Sequence, residues 1–203
     1  MLIAQILTFL TELGDQAVIL PFAATVAIAL AAAGARREAL LWCVAIFIPL
    51  FATLVAKIIF VPCGHLLPGL GTRSPSGHAA AAIAAYGGFA VLWAKFADDR
   101  RLQALFISTA LLAGIGVAMS RVYLGAHSVP EVLIGSAIGL SAPALLWRMG
   151  SPATGAAPRP RLVFLLLLLP LALAFLLRGK TLSVEGHIAA FAIRLMSALG
   201  VCG

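Results

Sequence analysis

The sequence predicts an all-α polytopic membrane protein, a bundle of six transmembrane helices. Three observations carry that expectation. Of the 203 residues, 63% are hydrophobic and only 10% are charged, where a soluble domain is about half apolar and a quarter charged. Mean hydropathy is +1.10. The charges fall in clusters separated by apolar runs of roughly the 20 residues that a helix needs to cross a bilayer. The same composition excludes an ordinary soluble enzyme and a disordered chain. It also excludes an outer-membrane barrel, whose strands alternate apolar and polar residues. The length leaves room for one domain, residues 1–203, and for no separate soluble one.

The elements follow in order. Residues 1–15 lack a basic start and are interrupted by Glu12 and Asp15. They read as an interfacial segment rather than a secretory signal. The first span is expected from about Ala17 to Ala35, ending at Arg36, Arg37 and Glu38, and the second from about Ala39 to Val61, with Lys57 near its end. Residues 62–76 form a loop rich in proline and glycine. The third span runs from about Gly77 to Ala97, the fourth from Leu102 to Leu124, and the fifth from Glu131 to Trp147. Residues 148–161, with Arg148, Arg159, Arg161 and three prolines, read as a linker. The sixth span is expected from about Leu162 to Leu177, followed by a C-terminal amphipathic segment over residues 181–203 with Arg194 on its polar side. Cys43, Cys63 and Cys202 are an odd number without paired spacing, so neither a disulfide nor a zinc site is expected.

Polar residues concentrate in loops two and four. Loop two and its borders hold Lys57, His65, Arg73, Ser74, Ser76 and His78; loop four holds Ser120, Arg121, His127, Ser128 and Glu131. Ionisable groups at a membrane edge are costly, so each is a functional candidate. Ser74-Pro75-Ser76-Gly77-His78 reads as a helix start, with Ser74 as the expected N-cap. Such a start offers free amide N–H groups to an anion, and Gly77 lets it approach the backbone. Lys57, Arg73 and Arg121 add cations, a combination that suits phosphate. In the second stretch Glu131 stands four residues after His127. It either fixes the imidazole tautomer or closes a capping box with Ser128; the spacing fits both.

Pro-Ser-Gly-His, followed by Ser120-Arg121, five residues and His127, resembles the type 2 phosphatidic-acid phosphatase superfamily, which also includes the vanadium haloperoxidases. The resemblance spans about Lys57 to Glu131. It implies a nucleophilic role for His127, which would take the phosphoryl group, and a general-acid role for His78. It implies phosphate binding by Lys57, Ser76, Gly77 and Arg121. Two departures stand out. Gly64-His65 occupies the place of Arg-Pro, and Glu131 replaces the orienting aspartate. Arg73 is expected to substitute for the missing arginine, because it directly precedes Ser74 in the same loop.

The implied activity is metal-independent hydrolysis of a lipid phosphate or pyrophosphate through a phosphohistidine, with no cofactor. The implied substrates are of the undecaprenyl pyrophosphate, phosphatidylglycerol phosphate, phosphatidate or lipid A phosphate type. The expected partners are that lipid and the bilayer, with no nucleic acid; the oligomeric state is left open. A non-catalytic lipid-binding or transport protein with a degenerate site is the alternative, and Gly64-His65 is the feature that favours it. The net charge of +7 fits membrane orientation. Loops one, three and five hold eight basic residues and the other side six; setting aside Lys57, Arg73 and Arg121 leaves eight against three. The positive-inside rule then places the site on the outer face of a bacterial inner membrane.

Overall fold

The computed structural model describes residues 2–63, 74–97, 99–149, 160–177, 179 and 184–201. All regular structure among them is helical: α1 (Leu2–Glu12), α2 (Gln16–Ala32), α3 (Arg36–Cys63), α4 (Gly77–Ala82), a π-helical stretch (Ile83–Gly87), α5 (Gly88–Ala94), α6 (Arg100–Tyr123), α7 (Val129–Gly139), α8 (Ser141–Arg148), α9 (Pro160–Leu176) and α10 (Val184–Ala198). Four helical stretches are long and apolar enough to cross a bilayer: Arg36–Cys63, Gly77–Ala94, Arg100–Tyr123 and Val129–Arg148. The pair α1 and α2, bent by 46° at its break, makes a fifth if taken as one span. The apolar part of α9, Val163–Leu176, is shorter. The helical membrane architecture therefore agrees with the sequence, and helix length and composition support four or five spans among the described residues.

Gly77–Ala94 is the central helix. It is 78% buried, against 11% for Arg100–Tyr123. Its sequence explains the position. Residues Gly77, Ala79–Ala82, Ala84, Ala85, Gly87 and Gly88 carry at most a methyl group, so neighbouring helices approach its backbone on every side. The closest approach is at α7. A Cβ placed on Gly135 would collide with the carbonyl oxygen of Ser76, so that crossing requires glycine.

At the other end, Phe22, Trp42, Phe89 and Trp93 pack edge to face, with Phe22–Phe89 centroids 5.3 Å apart and Phe89–Trp93 centroids 5.5 Å apart. The Trp42 indole N–H donates to the Ala23 carbonyl at 2.9 Å, so its burial leaves no donor unsatisfied. Lys95 Nζ donates to the Leu146 and Trp147 carbonyls at 2.6 and 3.1 Å, satisfying the C-terminal end of α8.

The break between α1 and α2 has two causes. The Asp15 carboxylate accepts the Ala17 amide at 2.8 Å and caps α2. Tyr86 Oη donates to the Leu13 carbonyl at 2.5 Å, pinning the break against the central helix. α1 then packs along α6.

The cysteine expectation needs correction. Cys43 is free, whereas Cys63 at the end of α3 is disulfide-bonded. An odd count leaves one thiol over but still permits one bond. Cys202 lies outside the described residues.

Candidate active site

The site forms towards the end of α3, at the starts of α4 and α7 and at the end of α6. Lys57 sits two turns before the end of α3, and its side chain is only 8% exposed. Lys57 Nζ donates to Ser74 Oγ at 3.2 Å and to Glu185 Oε1 at 2.9 Å.

The cap of α4 is Ser76, not the Ser74 expected from the sequence. Ser76 Oγ accepts the Ala79 amide at 3.4 Å. The physical reason lies in what holds the two preceding amides. The Ser74 amide donates to Glu131 Oε1 and the Ser76 amide to the Glu131 carbonyl, both at 3.0 Å. These bonds hold residues 74–76 against α7 and delay the helix to Gly77. A Cβ on Gly77 would stand 3.2 Å from Lys57 Cε and 3.5 Å from Glu185 Oε1. The bare backbone there is what lets a charged group come close.

His127 lies in the turn between α6 and α7. Its Nδ1 is 3.0 Å from Glu131 Oε2, a pairing in which the imidazole N–H donates to the carboxylate. Glu131 Oε2 also accepts the Ser128 amide at 2.9 Å. The two readings of Glu131 left open by the spacing are thus both true: one carboxylate orients the histidine and serves the helix cap. His127 Nε2 is buried and makes no hydrogen bond. It faces Glu185 Oε1 at 3.8 Å.

Arg121, in the last turn of α6, donates from one guanidinium nitrogen to Thr11 Oγ1 at 3.0 Å. Its other terminal nitrogen is 3.8 Å from Glu185 Oε2, and its buried Nε makes no hydrogen bond. His78, one residue after Gly77, points Nε2 at Asp15 Oδ2, 3.6 Å away, and Asp15 is buried.

The structure therefore brings together Lys57, Ser76, Gly77, His78, Arg121, His127 and Glu131. Arg73, His65 and Gly64 lie outside the described residues. Sequence reasoning missed three residues at the site: Thr11, Asp15 and Glu185. The only signals were two acidic residues in otherwise apolar or amphipathic stretches. Burial of Asp15 beside a histidine, and of Lys57 beside Glu185, gives those charges their partners.

Among the described residues no group of three or more His, Cys, Asp or Glu side chains could hold a metal ion. What the arrangement offers is a tautomer-fixed imidazole with a free Nε2, two cationic side chains and a glycine backbone. It suits a tetrahedral anion whose oxygens need several donors at once.

These features define a bundle of apolar helices with two histidines, a lysine and an arginine gathered at one end. The chain belongs to the PAP2 superfamily, whose family profile matches residues 53–155, just over half of the 203 residues. The superfamily's members include phosphatases, which supports a phosphoric ester hydrolase. No curated protein and no solved structure gives a significant match to the chain. Thr11, Asp15 and Glu185 all fall outside the matched segment.

Proposed function

We propose that the protein hydrolyses a phosphate or pyrophosphate group carried by a membrane lipid. The carrying observation is His127: Nδ1 is bound to Glu131 and the buried Nε2 makes no hydrogen bond. In this reading Nε2 attacks phosphorus, the P–N bond forms and the lipid oxygen leaves with the P–O bonding pair. Protonated His78 donates its proton to that oxygen. The neutral His78 then takes a proton from water, which attacks the phosphohistidine and releases inorganic phosphate and free His127. Lys57 and Arg121 neutralise the non-bridging oxygens, aided by Arg73. Ser76 Oγ, which accepts from Ala79, keeps its own proton for a phosphate oxygen. Glu131 holds the reactive tautomer and Asp15 aims His78.

The substrate face is read as the outer one. Cys63 lies at the site end of α3 and is disulfide-bonded, and disulfides persist in oxidising compartments. The basic Arg36, Arg37, Arg100, Arg101 and Arg148 lie at the opposite helix ends, as the positive-inside rule requires. Reading α2 and α9, of 17 residues each, as two further crossings completes six spans at the short end of the transmembrane range.

The test is phosphate release by purified protein in detergent, across polyprenyl pyrophosphate, phosphatidate, phosphatidylglycerol phosphate and lipid A phosphate, beside His127→Ala. Release that persists in EDTA, is inhibited by orthovanadate and is absent from His127→Ala is expected. No release from any of these lipids would sink the catalytic reading.

A further inference from the structure

Glu185 opens α10, a helix that packs mainly on α3. Its carboxylate stands in the middle of the site. Oε1 is 2.9 Å from Lys57 Nζ and 3.8 Å from His127 Nε2, and Oε2 is 3.8 Å from the Arg121 guanidinium. Oε1 would also be 3.5 Å from a Cβ on Gly77. These groups are the ones that the proposed reaction gives to the phosphoryl group. Carboxylate and phosphoryl oxygens compete for the same cationic donors, and phosphorus cannot approach His127 Nε2 while Oε1 faces it.

We propose that Glu185 is a specificity-determining gate: its carboxylate holds the phosphate position in the free protein, and a substrate enters by displacing it together with the first turn of α10. The inference rests on the reading of the pocket as a phosphate site. Three further observations support it. The side chains of Lys57 and Arg121 are only 8% and 12% exposed, and buried cations without a counter-charge are costly. A resident carboxylate supplies that charge while the site is empty of substrate. The Glu185 side chain is itself 41% exposed, so a path for its exit is open. Lys57 Nζ, donating to Oε1 at 2.9 Å, favours the charged form of the Glu185 carboxyl, so it docks as the anion.

The chemical consequence is selection by charge. A phosphate monoester or pyrophosphate brings about two negative charges to the cations, more than the single charge of the carboxylate it displaces. A phosphodiester, the headgroup linkage of bulk phospholipids, brings one and gains nothing by the exchange. The gate thus keeps abundant bilayer lipids out of a site that opens at their level.

The test uses the full chain in detergent. In Glu185→Gln the KM for a lipid monophosphate and the Ki for orthovanadate should each fall roughly tenfold, with kcat within about twofold. Phosphatidylglycerol, a phosphodiester, should become an inhibitor of the variant and not of the parent. Unchanged KM and Ki would overturn the gate. So would a kcat loss beyond about tenfold, which would make Glu185 part of the reaction itself. A second measurement needs no variant: orthovanadate added to the parent protein should raise hydrogen exchange at the amides of the first turns of α10, and unaltered exchange overturns the proposal. The two readings fail separately. Vanadate-driven release of α10 without turnover of any lipid keeps the gate and sinks the phosphatase. Turnover with α10 unmoved keeps the phosphatase and sinks the gate.

Discussion

Glu131 Oε2 lies 3.0 Å from His127 Nδ1 and 2.9 Å from the Ser128 amide, while Oε1 of the same carboxylate accepts the Ser74 amide at 3.0 Å. One side chain therefore fixes the imidazole, starts α7 and anchors the approach to α4. Replacing the family aspartate by glutamate lengthens the arm by one methylene, and the structure uses that reach to span three partners. Glu131→Gln keeps the shape but removes the charge and turns one oxygen into a donor. It should lower kcat/KM on the order of a hundredfold and also lower Tm, because the half-buried Ser74 and Ser128 amides lose a charged acceptor. Glu131→Ala should be worse on both. A full-activity Glu131→Gln enzyme would show that the tautomer needs no carboxylate.

The two histidines are separable by leaving group. His127→Ala should abolish turnover of every substrate. His78→Ala should cost most with alkyl phosphates, whose leaving oxygen needs a proton, and least with an aryl phosphate of low leaving-group pKa. Asp15 lies 3.6 Å from His78 Nε2, so Asp15→Asn should reproduce the His78 pattern in weaker form, roughly tenfold on alkyl substrates and near parity on aryl ones. Equal losses on both substrate classes would mean that Asp15 serves only as the cap of α2.

What the sequence revealed follows from how local each feature is. Lys57, Ser76, Gly77, Arg121, His127 and Glu131 sit at fixed offsets from helix ends, and those ends are marked by proline, glycine and charge. Asp15 and Glu185 reach the site from 63 residues before His78 and 58 residues after His127. No spacing rule connects such distances, and only the packing of α2 and α10 on the central bundle brings them in. The cap of α4 slipped by two residues because Ser74 and Ser76 both look like caps until the bonds from their amides to Glu131 are known. The span count was the least legible feature. Apolar runs of 17 residues lie at the boundary between a crossing helix and a shorter buried one.

Orientation can be read by thiol labelling. Ala126, in the turn before His127, and Ala33, at the far end of α2, are both exposed. In a Cys43→Ser background, which retains the bonded Cys63, a cysteine introduced by Ala126→Cys should react with an impermeant maleimide added to intact cells. One introduced by Ala33→Cys should react only after permeabilisation. The reverse pattern would put the site on the cytoplasmic face and remove translocated lipid phosphates from the candidate substrates.

The crossing of α7 over the start of the central helix makes the last prediction. A Cβ on Gly135 would collide with the Ser76 carbonyl, which is backbone and cannot rotate away. The Ser76 amide is held by the Glu131 carbonyl at 3.0 Å just beside it. Gly135→Ala must therefore push α7 away from residue 76, and Glu131 and His127 move with it. Overpacking of this kind costs about 1–3 kcal/mol, read as a lower Tm in detergent, and a displaced imidazole should lower kcat with little change in KM. Gly116→Ala is the control. On α6 its Cβ would meet Leu10 at 3.5 Å, an ordinary contact with flexible side-chain atoms, and both Tm and kcat should stay near those of the parent. A Gly135→Ala protein with unaltered Tm and kcat would show that the two helices do not meet at Ser76, and would remove the contact that aligns Glu131 with the start of α4.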